Sequence, residues 1–147
     1  MIIPQQINIP QYLKNWDNLQ SQRGCRYGKT ATMALKMIEI LLEKPNQHIL
    51  YFGHSRDFCA QINIEIAKTI SELYPKYGTL YYSTAKQITI FNNSVIKFLT
   101  FTSGWEYRTR GCSFTHIFND THLNIRNNED VYLVLLPALY PSGTLIE

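Results

Sequence analysis

Nowhere in the 147 residues do about eighteen apolar residues follow one another, which excludes an ordinary membrane-spanning helix. The opening residues, Met1-Ile2-Ile3-Pro4-Gln5-Gln6, lack a basic region followed by an apolar stretch, so no leader is read there and a cytoplasmic setting is expected. Cysteine is scarce. Cys25, Cys59 and Cys112 are odd in number and far apart, which argues against a disulfide framework and against paired metal-ligand spacing, and points to a reducing compartment. Runs of one charge are also missing. With 14 Lys and Arg against 11 Asp and Glu, the net charge of +3 permits contact with nucleic acid without demanding it. No repeat, low-complexity tract or linker interrupts the chain. What remains is ordinary globular composition, 45% hydrophobic and 17% charged, enough to bury a core without disulfides or metals.

The organising stretch is Gly24-Cys25-Arg26-Tyr27-Gly28-Lys29-Thr30, followed by an apolar helical run from Ala31 to Leu42. A Gly-Lys-Thr at the mouth of a helix is what phosphate binding needs, because loop and first-turn N–H groups converge on an anion and the helix dipole adds to the attraction. Lys29 supplies a mobile positive charge, Gly28 allows close backbone approach, and the Thr30 hydroxyl is placed to ligate Mg²⁺. One glycine of the full pattern is missing: position 23 holds Arg23, and Gly24 comes one residue late. Met33, Ala34, Met37, Ile38, Leu41 and Leu42 recur at helical spacing before Pro45-Asn46 breaks the helix.

Residues 1–22 read as an N-terminal arm with a short helix over Gln11 to Leu19, and residues 23–147 as the phosphate-binding domain. The polar Asn18-Leu19-Gln20-Ser21-Gln22 is an unusual lead-in strand, expected to be short or at an edge. Residues 47–53 predict a buried strand, with Ser55 capping a helix that runs to about Tyr74 on Phe58, Ile62, Ile66, Ala67, Ile70 and Leu73. Residues 87–91 and 95–101, joined by Asn92-Asn93-Ser94, predict a hairpin. Residues 102–111 form a polar loop, 116–118 a short strand ending at Asn119-Asp120, and Val131 to Leu136 either helix or strand. Leu145-Ile146 belongs to a last strand. The fold class is therefore α/β, a mainly parallel sheet flanked by helices with one β-hairpin.

A carboxylate at the end of an apolar strand is the other half of a nucleotide-hydrolysing site, and Asp120 holds that place. Together the two stretches resemble the large subunits of tailed-phage terminases, the motors that package DNA. Residues 24–30 are similar to that family's G-R-R-W-G-K-T loop. Arg110-Gly111-Cys112-Ser113-Phe114-Thr115-His116-Ile117-Phe118-Asn119-Asp120 is similar to its R-G-x-x-F-x-x-h-x-h-D-E segment, with h apolar. The resemblance covers about residues 20–147. It implies a RecA-like P-loop NTPase core using ATP and Mg²⁺, with Gly24, Cys25, Arg26, Tyr27, Gly28, Lys29 and Thr30 around the nucleotide. It further implies Thr30 and Asp120 at the metal, with Lys29, Asp120 and Arg26 serving hydrolysis. Double-stranded DNA, a capsid portal or small terminase subunit, and further copies of the chain are the partners it implies; no membrane is among them.

The sequence departs from that family at three positions: Arg23 for glycine, Thr121 where the catalytic glutamate stands, and Asn119 where an apolar residue is usual. A shift by one residue would make Asn119 the metal-side ligand and Asp120 the water-activating group; the count from Arg110-Gly111 favours Asp120 at the metal. Either way one carboxylate remains. His122 reads as a surface or capping group, with a substitute base as the alternative. Arg108 and Arg110 are read as an arginine finger presented to a neighbouring subunit, or equally as solvent-exposed loop arginines or DNA phosphate contacts. Tyr81, Tyr82, Trp105 and Tyr107 are read by default as packing residues, with base stacking as the alternative. His48, His54 and His116 are expected to be packed. No nuclease pattern follows from Glu106, Asp120, Glu129 and Asp130, and the sequence ends at Glu147, where the coupling motif of the family would begin. Two readings stay open: an ATPase with slow or assembly-dependent hydrolysis, and a non-hydrolysing module that keeps the fold for nucleotide, DNA or protein binding.

Overall fold

A computed structural model describes residues 29–73, 79–81, 87–90, 92–139 and 141–147. The expected arm, its helix, the lead-in strand and the loop residues Gly24 to Gly28 lie outside the described residues. Helix α1 spans Lys29–Glu43. Met33, Ala34, Met37, Ile38, Leu41 and Leu42 are all buried, so the 3.6-residue spacing lays one apolar face on the sheet. Strand β1, His48–Phe52, follows after a turn in which Asn46 takes a left-handed φ of 60°. In helix α2, Arg56–Leu73, Ser55 Oγ accepts the Phe58 N–H at 3.1 Å, the cap expected there.

Strands β2 (Thr79–Tyr81), β3 (Gln87–Ile90), β4 (Val95–Leu99), β5 (His116–Asn119) and β6 (Thr144–Ile146) complete a six-stranded sheet in the order β2-β3-β4-β1-β5-β6. The pairs β4–β1, β1–β5 and β5–β6 are parallel, while β2–β3 and β3–β4 are antiparallel. The four parallel strands therefore end on one edge of the sheet. Helix α3, Glu129–Leu139, decides between helix and strand for the Val131 run. Asn128 Oδ1 caps it by accepting the Val131 N–H at 3.2 Å, and Pro137 sits inside its last turns.

β1 is buried on both faces, as a central parallel strand requires. Ile49 and Tyr51 pack with α1 and α2; Leu50 and Phe52 pack with α3 and Trp105 on the other side. The polar loop expected over residues 102–111 contains a short 3₁₀ turn, Trp105–Arg108, and Trp105 packs as its default reading has it. Trp105 is buried edge-on against Phe52 and Phe101, which stack on each other with centroids 4.0 Å apart. Phe101 itself falls beyond β4. Close approach fixes one glycine: a Cβ on Gly143 would lie 2.5 Å from the Phe114 carbonyl and 2.7 Å from that of Leu139.

The hairpin turn also closes α1. Asn92 Nδ2 donates to the Leu41 carbonyl at 2.8 Å and to that of Lys44 at 3.3 Å, satisfying acceptors that a helix end leaves open. Asn93 supplies the left-handed residue of the turn, φ 66°. Asn92→Ala is expected to lower stability by about 1–2 kcal/mol, the value of the lost bonds to the helix end, read as a shift in urea midpoint at unchanged slope.

Candidate nucleotide and metal site

The first turn of α1 and the end of β5 meet in the interior. Thr30 Oγ1 donates to Asp120 Oδ2 at 2.5 Å, although the two residues are 90 positions apart. Asp120 is 3% exposed and Thr30 1%. The Asp120 N–H continues the β5–β1 ladder by donating to the Phe52 carbonyl at 2.9 Å, which fixes the backbone of the carboxylate against the central strand. A second hydroxyl reaches the same oxygen: Tyr51 OH donates to Asp120 Oδ2 at 2.6 Å. Among the described residues no donor reaches Oδ1.

Beside this pair lies an open cleft of about 350 Å³, lined by Lys29, Asn119, Thr121, His122, Leu123, Asn124 and Glu147. Lys29 has no carboxylate within 4.0 Å among the described residues. The two departures after the strand form one network. Thr121 donates its hydroxyl to Asn119 Oδ1 at 2.6 Å and its N–H to the same oxygen at 3.2 Å, while Thr121 Oγ1 accepts the Leu123 N–H. Asn119 Nδ2 donates to the Leu123 carbonyl at 2.5 Å and to Glu147 Oε1 at 2.9 Å. A polar residue at position 119 is thus explained: its amide is committed within the loop and to the neighbouring strand.

Glu147, just past β6, receives four donors. Asn119 Nδ2 and the Ile125 N–H reach Oε1, and the Arg126 N–H and Nη1 reach Oε2 at 3.3 and 3.4 Å. Arg126 Nη2 also donates to the Leu145 carbonyl. Partial burial works to raise the Glu147 carboxyl, but the bonds from Asn119, Ile125 and Arg126, with the Arg126 charge, outweigh it and hold the group below its ordinary range.

The structure thus brings Lys29, Thr30 and Asp120 to one edge, while Gly24, Cys25, Arg26, Tyr27 and Gly28 lie outside the described residues. The histidine expectation needs correction: His48 and His54 are exposed, because each sits at an end of β1 where the sheet no longer covers it. His54 lies with its ring centroid 5.0 Å from that of His122, across the ends of β1 and β5. Tyr107 is 71% exposed under the Arg110 guanidinium, 4.9 Å from the ring centroid, and Arg108 is exposed beside it. Cys59 is a buried thiol pushed up to about 12, chiefly by burial, with the Asp120 charge adding to it.

Sequence reading missed Tyr51 and Glu147. The signal for the first is the tyrosine in an otherwise apolar central strand, since a buried phenol needs an acceptor. For the second it is the carboxylate ending the last apolar strand, the position Asp120 holds on its own strand.

The fold is similar to that of phage large-terminase ATPase domains. Two solved structures are similar to the chain over most of its length. The ATPase domain of the large terminase of Thermus phage P74-26, as an arginine-to-alanine mutant, has a TM-score of 0.57 and 11% identity, over 81% of this chain and 54% of that one. The large terminase of another, thermophilic bacteriophage has a TM-score of 0.56 and 15% identity, over 82% of this chain and 31% of that one. The chain thus spans about half of the first and under a third of the second. No family model and no curated protein sequence matches it.

Proposed function

We propose that the chain is a terminase-like P-loop ATPase that binds Mg·ATP at the Lys29 cleft. In this reading it couples slow or assembly-dependent hydrolysis to phage DNA packaging or related DNA handling. The observation that carries the reading is the buried bond from Thr30 to Asp120, joining a helix mouth to a strand end in a fold similar to terminase ATPase domains.

The residues present fit the cation and the nucleotide. A hydroxyl has one proton and two lone pairs; Thr30 commits its proton to Asp120, so its lone pairs are the part available to a hard cation. Asp120 offers Oδ1 in the same way. Lys29, unpaired by any described carboxylate, is the charge available to phosphate oxygens. When bound, Mg²⁺ neutralises charge that develops on the phosphates during transfer. Arg26 and the backbone of residues 24–28 complete the cradle in this reading.

A specific observation favours slow or assembly-dependent turnover, and with it the non-hydrolysing alternative. Thr121 commits its proton to Asn119 and a lone pair to the Leu123 N–H, and the Glu147 oxygens accept four donors, so neither side chain supplies a free carboxylate to activate a water. The test is phosphate release from ATP with and without Mg²⁺ and double-stranded DNA. Mg²⁺-dependent release is expected, increased by DNA or by self-association. A chain that releases no phosphate yet melts at higher temperature with Mg·ATP is the non-hydrolysing module in its nucleotide-binding form; one unaffected by Mg·ATP sinks the ATPase reading and leaves a DNA- or protein-binding module.

A further inference from the structure

Tyr51 stands out in the core. The neighbouring inward residues of β1 and β4 on its face, Ile49, Ile96 and Phe98, are apolar, and its own ring is fully buried, edge-on to Phe98 with centroids 5.8 Å apart. Phenylalanine would fill that space without taking a hydroxyl out of water. The hydroxyl instead crosses to β5, where it donates to a carboxylate that is itself 3% exposed. Two hydroxyls, from α1 and from β1, thereby converge on one oxygen, Asp120 Oδ2. An ionised carboxylate has about four lone-pair directions, and those of Oδ1 receive no donor from the described residues.

We infer that Tyr51 is a positioning residue for the cation site: its hydroxyl, delivered through the core of the sheet, pins Asp120 by Oδ2 and makes Oδ1 the oxygen offered to a divalent cation. The inference rests on the ATPase reading and adds a residue to its metal shell. With Tyr51 present the carboxylate is tethered from two directions and cannot rotate without breaking a buried bond. Without it, Thr30 is the single side-chain tether among the described residues, and Thr30 is itself asked to serve the cation. Groups that orient metal ligands from behind typically change affinity by about 10–100-fold when removed.

The experiment is a Mn²⁺ titration in the presence of ATP, reading free Mn²⁺ by its electron paramagnetic resonance signal, for the unsubstituted chain and Tyr51→Phe. The variant is expected to raise the Mn²⁺ dissociation constant about tenfold, with ATP binding in metal-free buffer unchanged. A lower melting temperature with the Mn²⁺ constant within about twofold would reduce Tyr51 to a packing residue and overturn the inference while leaving the ATPase reading intact. No Mn²⁺ uptake by the unsubstituted chain would overturn both. A second measurement needs no ligand. In a melting cycle with Asp120→Ala, Tyr51→Phe should destabilise the unsubstituted chain but be neutral or stabilising in the Asp120→Ala background; additive shifts would show that the hydroxyl and the carboxylate are not coupled, and would overturn the inference.

Discussion

Lys29→Ala is expected to lower Mg·ATP turnover by at least about 10²–10³-fold, the cost of removing one preorganised donor from a phosphate-transfer site. The side chain forms no ion pair with a described residue, so the substitution removes no ion pair among them. It lines the cleft beside Asn119 and Thr121, at the positive end of α1, where in the proposed reading the helix dipole and an ammonium would act on the same anion. The melting temperature without ligand should stay within a degree or two, by the rule that surface changes away from packed features cost little. Phosphate release measured beside the unsubstituted chain decides the matter. Equal turnover in the two proteins would remove the cleft from the chemistry.

The largest stability effect is expected at Glu147. Glu147→Ala takes one acceptor from Asn119, the Ile125 N–H and both Arg126 donors at once, and should cost about 1–3 kcal/mol, carried by the part-buried Asn119 and Ile125 donors, since the exposed Arg126 donors can turn to water. Chemical denaturation gives the number directly. The acid dependence has a fixed sign: the folded carboxyl sits below its ordinary value, so its contribution is complete above the unfolded value and is lost as pH falls through the folded one. The gap between the unsubstituted chain and Glu147→Gln should therefore be widest near neutrality and close in acid. A gap that widened on acidification would mean that the network does not favour the ionised form.

Helices α1 and α2 are legible in the sequence because their apolar residues keep a 3.6-residue period and each carries a boundary signal, Pro45 after the first and Ser55 before the second. The hairpin is legible from its asparagines. The Val131 run is not, because Val-Tyr-Leu-Val-Leu-Leu has no polar residue to set a period, and Pro137 argues against a helix that Asn128 nevertheless starts. At the site, Thr30 and Asp120 are each recognisable from their neighbours in sequence. Tyr51 and Glu147 are not, because what brings them there is strand order: β1 and β6 lie on either side of β5, and nothing local to His48–Phe52 or to Thr144–Ile146 says so.

The central place of β1 has a consequence for how the molecule is made. Its first residues are tied on either side to partners synthesised much later, Gln47 to Ser94 at 47 residues' separation and His48 to Thr115 at 67. A growing chain thus holds its most apolar strand with both edges open until first β4 and then β5 emerge, and contacts of such long range are the slow ones to close. Tyr51 and Asp120 meet only when β5 docks. The step that shields the heart of the sheet during biosynthesis is the same step that brings Asp120 to Tyr51, so a nascent chain completes its buried carboxylate cluster at the moment it loses its stickiest surface.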